Sequence, residues 1–339
     1  MKTSLLSISL WLFSMGLLSS LTACEMRPDV ESFEVLDRFR ILAVQSEPPD
    51  LVSGETSTLS ALVYDPDDQE LSYSWSWCPA RSSPRDGFIC SIEESDLRAI
   101  WENLGSGKEL PPYDLGSEPT AQFSNIFDAE SVFGICAALI EDDSTDEFAI
   151  LSCLWGLNIS IELRISSGKD EWVALKTIPL IFEDKEEAKE PAQRNRNPEL
   201  LPEMNLVNLL VPRTKKKPLR IEVESGTSLI EGNRYEMVAR VEEEQAESFL
   251  PEKLEGVTAP EVRKETLQIT WFVTKDAVNY GMDDTLFVDG ASDFEDLTTQ
   301  EIELAETVKS KELVLYLVIR DERDGVGWMD YRFNVEDEE

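Results

Sequence analysis

Downstream of residue 39, apolar and polar residues alternate with period two over much of the chain. In LSYSWSW (71–77), Tyr73, Trp75 and Trp77 fall on one face and Ser72, Ser74 and Ser76 on the other. That is the pattern of a half-buried strand with its aromatics inward. The preceding stretch, RILAVQSEPPDLVSGETSTLSALVYDPDDQE, is broken by Gly, Pro and Asp clusters and fits no helical period. Two segments read differently. In SIEESDLRAIWENLG (91–105), Leu97, Ile100, Trp101 and Leu104 recur at helical spacing after a capping signal (Ser91 with Glu94, or Ser95), and Gly105 marks a stop. In DAESVFGICAALIEDD (128–143), Val132, Ile135, Cys136 and Leu139 share one helical face.

The strand patterns occur twice. LVSGETSTLSALV (51–63) lies over LIEGNRYEMVARV (229–241), which places Gly54 on Gly232 and Ala61 on Ala239. LSYSWSW lies over LQITWFV (267–273), with Trp75 on Trp271. LNISIELRI (157–165) lies over LVLYLVIRD (313–321), and the same spacing sets Trp172 on Trp328. A repeat of strand-turn units with a core tryptophan on the third strand predicts two Ig-like antiparallel β-sandwiches. The first carries a helical, disulfide-stapled insertion at about residues 79–150.

VSGETSTLSALVYDPDDQELSYSWSW (52–77) resembles the opening of polycystic-kidney-disease-type and related Ig-like modules. VLYLVIRDERDGVGWMDYRFNV (314–335) resembles their final hairpin. After the third strand these modules usually continue into a Gly- and Asp-rich turn. Here the chain runs to Cys78-Pro79 instead, so no loop function is carried over.

At the N-terminus Lys2 is the only charge before Glu25, and Leu5–Leu18 is an apolar run too short for a spanning helix. The LTAC string (21–24) resembles the lipobox of bacterial lipoproteins, which implies a diacylglycerol on Cys24 and cleavage just before it. With the tandem modules, this likens the chain to lipoproteins of myxobacteria and their relatives. Glu25, in place of the Asp that retains enteric lipoproteins at the inner membrane, points to the outer membrane, with the leaflet open. The expected organisation is a signal at 1–23, a tether at 24–37, a first module at 38–183, an acidic linker at 184–194, a second module at 195–336 and an acidic tail at 337–339.

Charge and chemistry then narrow the partners. With 68 acidic against 31 basic residues, the net charge of −37 disfavours nucleic acid and anionic membrane surfaces. The chain has no histidine, which excludes Ser-His-Asp and Cys-His catalysis and every His-ligated metal site. A non-enzyme is expected. Cys78, Cys90, Cys136 and Cys153 form an even set beside Cys24 and allow three connectivities, of which the local pairs Cys78–Cys90 and Cys136–Cys153 are favoured. Asp65, Asp67 and Asp68, and Asp321, Glu322 and Asp324, are weak calcium candidates in loops where Asp also serves turns. No other cofactor is expected.

Trp75, Trp77, Trp172, Trp271 and Trp328 read as core rather than as sugar platforms, because they recur in both copies. Lys215-Lys216-Lys217 is a lone basic run that reads as a solvated loop. The function expected is adhesion or scaffolding toward a protein or glycan, from a membrane held through the N-terminal lipid. The alternatives are a glycan-binding or carboxylate-based glycan-acting surface protein, and an accessory lipoprotein of an envelope or secretion complex. A Cys24→Ser variant is expected to be released in soluble form or to accumulate unprocessed on membrane fractionation; a processed variant that still pellets with membranes would contradict the anchor.

Overall fold

The computed structural model describes residues 35–336 except 83–86, 106, 142–157, 169, 183–193, 209–220, 224, 232, 250–261, 275–285, 289–298 and 305–310. The signal segment, Cys24, Cys153, Lys215–Lys217, nearly all of the acidic linker and the tail lie outside the described residues. After β1 (Val35–Leu36), the first copy contains β2 (Arg40–Glu47), β3 (Leu51–Val52), β4 (Thr56–Tyr64) and β5 (Leu71–Cys78). Helix α1 (Glu94–Leu104), β6 (Asp114–Gly116), β7 (Ala121–Ser124), helix α2 (Ala129–Glu141), β8 (Asn158–Ser167) and β9 (Asp170–Ile181) complete it. The second copy contains β10 (Met204–Asn208), β11 (Ile221–Val223), β12 (Ser228–Ile230), β13 (Arg234–Val238), β14 (Ser248–Phe249) and β15 (Arg263–Lys264). It ends with β16 (Leu267–Thr274), β17 (Leu286–Val288), β18 (Thr299–Glu303), β19 (Glu312–Arg320) and β20 (Val326–Glu336).

Strand order makes both copies the same fold. The first pairs β2-β4-β7 in one sheet and β3-β9-β8-β5-β6 in the other. In the second, β10-β13-β18 and β12-β20-β19-β16, with β17 beside β16, repeat that order. These are Ig-like sandwiches, with β2, β4 and β7 facing the remainder in the first and β10, β13 and β18 in the second. Register makes Trp75 and Trp271 equivalent, each paired with a leucine of the next strand, Leu163 and Leu317; that sets Leu163 on Leu317, two residues from the sequence alignment, which places it on Ile319. Each tryptophan is buried at the centre of its own apolar core. Both copies lie within one compact unit, Glu34–Glu339.

That slip carries through to the last strand. Trp172 pairs with Ile165, whereas Trp328 pairs with Val318 and Gly327 with Ile319. The counterpart of Trp172 is therefore Gly327, and Trp328 faces the opposite side of its sheet. Space explains the exchange: a Cβ on Gly327 would lie 1.9 Å from the carbonyl oxygen of Pro198, so no side chain fits there.

Two other expectations are corrected. The stretch 79–150 is not one insertion, because β6 and β7 are strands of the sandwich; α1 departs after the third strand and α2 after the fifth. Nor does the tether run unbroken to residue 37: Val35 and Leu36 form β1, laid parallel on Val273 and Thr274 of the second sandwich. Helix α1 begins after Glu93 without a side-chain cap, so neither serine serves that purpose, but Gly105 ends it in the left-handed conformation as read. Among the described residues no helix is long and apolar enough to cross a membrane.

The two sandwiches meet sheet face to sheet face. On the second, Phe272, Val318 and Trp328 point away from its own core. They pack with Leu42, Leu62 and Tyr64 from the outer face of β2 and β4, and with the buried Leu36 of β1. The Tyr64 and Tyr316 rings meet edge-on at 6.0 Å across this contact. Because Trp271 is sealed in the second core, Trp271→Ala should cost about 3–5 kcal/mol in chemical unfolding. Ser74→Ala, on the exposed polar face, should stay within about 0.5 kcal/mol. Equal effects would contradict the facing assigned to these strands.

Candidate functional site at the junction of the sandwiches

Polar chemistry concentrates where the inter-module linker and the β19–β20 turn meet the first sandwich. Arg194 donates to Asp50 at 2.8 Å and to Glu55 at 2.8 Å, and this guanidinium holds the Glu55 carboxyl below its ordinary value. The Asn195 amide donates to the other Asp50 oxygen at 2.9 Å, while its side chain donates to the Arg323 carbonyl at 2.9 Å. Asn197 donates to the Ser46 carbonyl at 2.8 Å and accepts from the Val326 amide at 2.8 Å. Gln45 donates to the Val326 carbonyl at 2.6 Å and Arg320 to the Leu42 carbonyl at 3.2 Å. Lys176 donates to the Asp324 carbonyl. Asn197 thus bonds backbone groups of both sandwiches at once, and Asn195, Gln45, Arg320 and Lys176 add further bonds across the border, which orients one against the other.

The turn is held from behind. Asp321 Oδ1 accepts from the amides of Arg323 and Gly325, both at 2.7 Å, and Asp324 adopts a left-handed φ of 72°. Arg323 donates to Glu265 and, at 2.7 Å, to Glu247, with its guanidinium 5.0 Å above the Phe249 ring. Glu265 is fully buried, and that burial pushes its carboxyl up to about 7 against the pull of Arg323. In a chain without histidine, this carboxyl is a group that titrates near neutrality. No sequence signal marked it; burial, not residue type, creates it.

The calcium candidates divide between two turns. Asp65 accepts from the amides of Asp67 at 3.2 Å and Gln69 at 2.8 Å, and Asp68 takes a φ of 48°, so this cluster shapes its own turn. Asp321 and Asp324 belong to the junction, and Glu322 turns outward to Arg263 at 2.9 Å. Among the described residues no group of three or more His, Cys, Asp or Glu is placed to hold a metal ion.

Cys78 and Cys90 form a disulfide with Cα atoms 5.8 Å apart, closing the segment that leads into α1. Cys136 is disulfide-bonded as well, to a residue outside the described set. Trp75, Trp77, Trp101 and Trp271 are buried, and the indoles of Trp75 and Trp77 donate to the carbonyls of Glu118 at 2.9 Å and Pro112 at 2.7 Å. Trp172 and Trp328 are half-buried.

A cavity of about 270 Å³ lies beside the turn, between β2 and β9 of the first sandwich and the β19–β20 turn of the second. Lys176, Arg320, Asp321 and Asp324 line it together with Val44 and Ala174. Burial lowers the affinity of Lys176 for its proton and raises that of Asp321 and Asp324.

The shift of Glu265 has a definite sign. Folding raises its pKa from 4.5 to about 7, so the folded form binds the proton more tightly. Its contribution is complete below pH 4.5 and is lost as pH rises through 7. The melting temperature should therefore fall between pH 5 and pH 8 by an amount worth at most about 3 kcal/mol, and Glu265→Gln should flatten that slope. An unchanged slope in the variant would remove Glu265 as its source.

No protein-family model matches the chain, and no curated protein matches it in sequence. Among solved structures it is similar to a chimeric titin Z1Z2-Z1Z2 tandem, at 6% identity and a TM-score of 0.24, covering 88% of this chain and 99% of that one. It is also similar to the three N-terminal domains of the bacteriophage RB49 outer capsid protein Hoc, at 11% identity and a TM-score of 0.20, covering 89% and 71%. Dimeric latent PorU from Porphyromonas gingivalis matches at 13% identity and a TM-score of 0.19, and the chain, covered over 88% of its own length, spans only 24% of that protein. At such scores these likenesses carry no argument, and the Ig-like assignment rests on strand order and register.

Proposed function

We propose that the chain is a lipid-anchored, non-enzymatic interaction protein of the outer membrane, presenting a fixed pair of Ig-like sandwiches to a protein partner. One observation carries this reading. Helix α2 buries Val132, Ile135 and Cys136 in the first core, yet its other side exposes Phe133 at 77% and Ile140 at 49%. Residues seven apart share a helical face, and the exposed Leu104 of α1 continues that face, since a Cβ on Gly134 would lie 2.4 Å from its Cδ2. A helix apolar on every side is one that ends up covered on every side. An exposed apolar stripe of this kind marks an interaction site.

The stripe favours the accessory role in an envelope complex over free adhesion, because it is apolar and contiguous rather than a scatter of polar contacts. Glycan binding has less support: the four buried tryptophans offer no stacking surface. The lipobox and the charge of −37 support the anchor and argue for a partner that is a protein rather than an anionic lipid surface.

A photo-crosslinking amino acid placed at Phe133 in the native envelope tests the reading. A discrete protein adduct is expected, and none when the probe sits at Ser74. Phe133→Ser should leave stability within about 0.5 kcal/mol and weaken partner capture by about 30-fold, as loss of an aromatic anchor does. No protein adduct, or adducts equally frequent at both positions, would overturn it.

A further inference from the structure

The junction cavity brings two cationic and two anionic side chains to one space, where Asp321 and Asp324 attract Lys176 without forming an ion pair with it. Lys176, 6% exposed, donates only to a backbone carbonyl. The Arg320 guanidinium is met by the Thr270 hydroxyl at 3.2 Å and the Leu42 carbonyl at 3.2 Å, both uncharged. Asp321 spends Oδ1 on two turn amides, while its Oδ2 is buried with no hydrogen-bond partner. Asp324, an exposed residue lining the cavity, offers its carbonyl to Lys176. Among the described residues none of the four makes an ion pair within 4.0 Å.

Of the four only Lys176 is buried, and a buried charge is ordinarily paired with an opposite one or with something bound beside it, because leaving it unpaired is costly. Here opposite charges face one space of about 270 Å³ without touching across it, and Val44 and Ala174 form an apolar wall beside them. A cation would answer only the aspartates and an anion only the lysine and arginine. A molecule carrying both charges answers all four. Clefts between packed modules are also common places for small ligands.

We propose that this cavity binds a small zwitterion, an apolar α-amino acid, with its ammonium on Asp321 and Asp324 and its carboxylate on Lys176 and Arg320. The ligand would touch both sandwiches, so its binding would tighten their contact. The inference stands apart from the partner reading, since the α2 stripe contributes no residue to the cavity.

Isothermal titration of the full-length protein in detergent with leucine tests it. Binding in the sub-millimolar range is expected. It should weaken at least about tenfold for isoamylamine and for 4-methylpentanoate, each of which lacks one charged end. Lys176→Met and Asp321→Asn should weaken leucine binding by a similar factor, with circular dichroism confirming that each folds. Ala174→Leu, which narrows the cavity and leaves its charges in place, should abolish binding even if the charge variants prove unstable. Absence of heat with leucine up to about 10 mM, equal binding of the one-ended analogues, or undiminished binding by Ala174→Leu would overturn the proposal.

Discussion

Everything specific to this molecule follows from one contact, the outer face of the second sandwich's six-stranded sheet lying on the outer face of the first's three-stranded one. In the first sandwich the corresponding five-stranded sheet turns Ser72, Ser74, Ser76, Glu162 and Arg164 outward, with the Ser72 and Ser166 hydroxyls 2.8 Å apart and Arg164 paired to Glu162. In the second, the equivalent strands turn out Phe272, Tyr316 and Val318, and these residues are covered by β1, β2 and β4. Burying that face removes apolar area from water at about 25 cal/mol per Å², and no polar alternative exists for it. The same duplicated fold therefore has two different surfaces, one made for solvent and one made for its twin.

The apolar contact alone would leave the sandwiches free to slide, and the polar border removes that freedom. Arg194, Asn195 and Asn197 satisfy directional groups on both partners, and the β19–β20 turn reaches Lys176 and Gln45. Low dielectric strengthens each of these bonds and raises the cost of any group left without a partner. The buried Glu265 and Arg323 behind the turn, and the four charges around the cavity, sit where that balance is most delicate. A surface carrying a net charge of −37 can tolerate such a border because the acidic excess faces water, while the border itself mixes both signs.

Much of the fold was legible because both strands and helices announce themselves by period. LSYSWSW and LQITWFV identified the third strands, and Gly105 marked the end of α1. The contrast between those strings also held the interface: serines at alternate positions mean a wet outer face, whereas Phe272 between Trp271 and Val273 breaks the alternation, as in a strand covered on both sides. That difference was readable and went unread, because the alignment rewarded similarity between the copies. Trp328 misled for the same reason, since matching it to Trp172 hid its opposite facing and the glycine that makes room for Pro198. The site residues were illegible in another sense. Lys176 and Glu265 are ordinary letters in a sequence rich in charge, and only tertiary burial distinguishes them; Asp321 stood out as a turn carboxylate, not as a member of a junction.

A fixed pair of modules suits a protein that must hold a surface in place rather than turn over a substrate. Spin labels on Ser74 of the first sandwich and Glu312 of the second, both on exposed positions, report this rigidity by the width of their distance distribution. A single narrow distribution is expected, broadening when Phe272→Asp puts a charge into the covered face. A broad distribution in the unmodified protein, unaffected by that substitution, would contradict the packing on which the account depends.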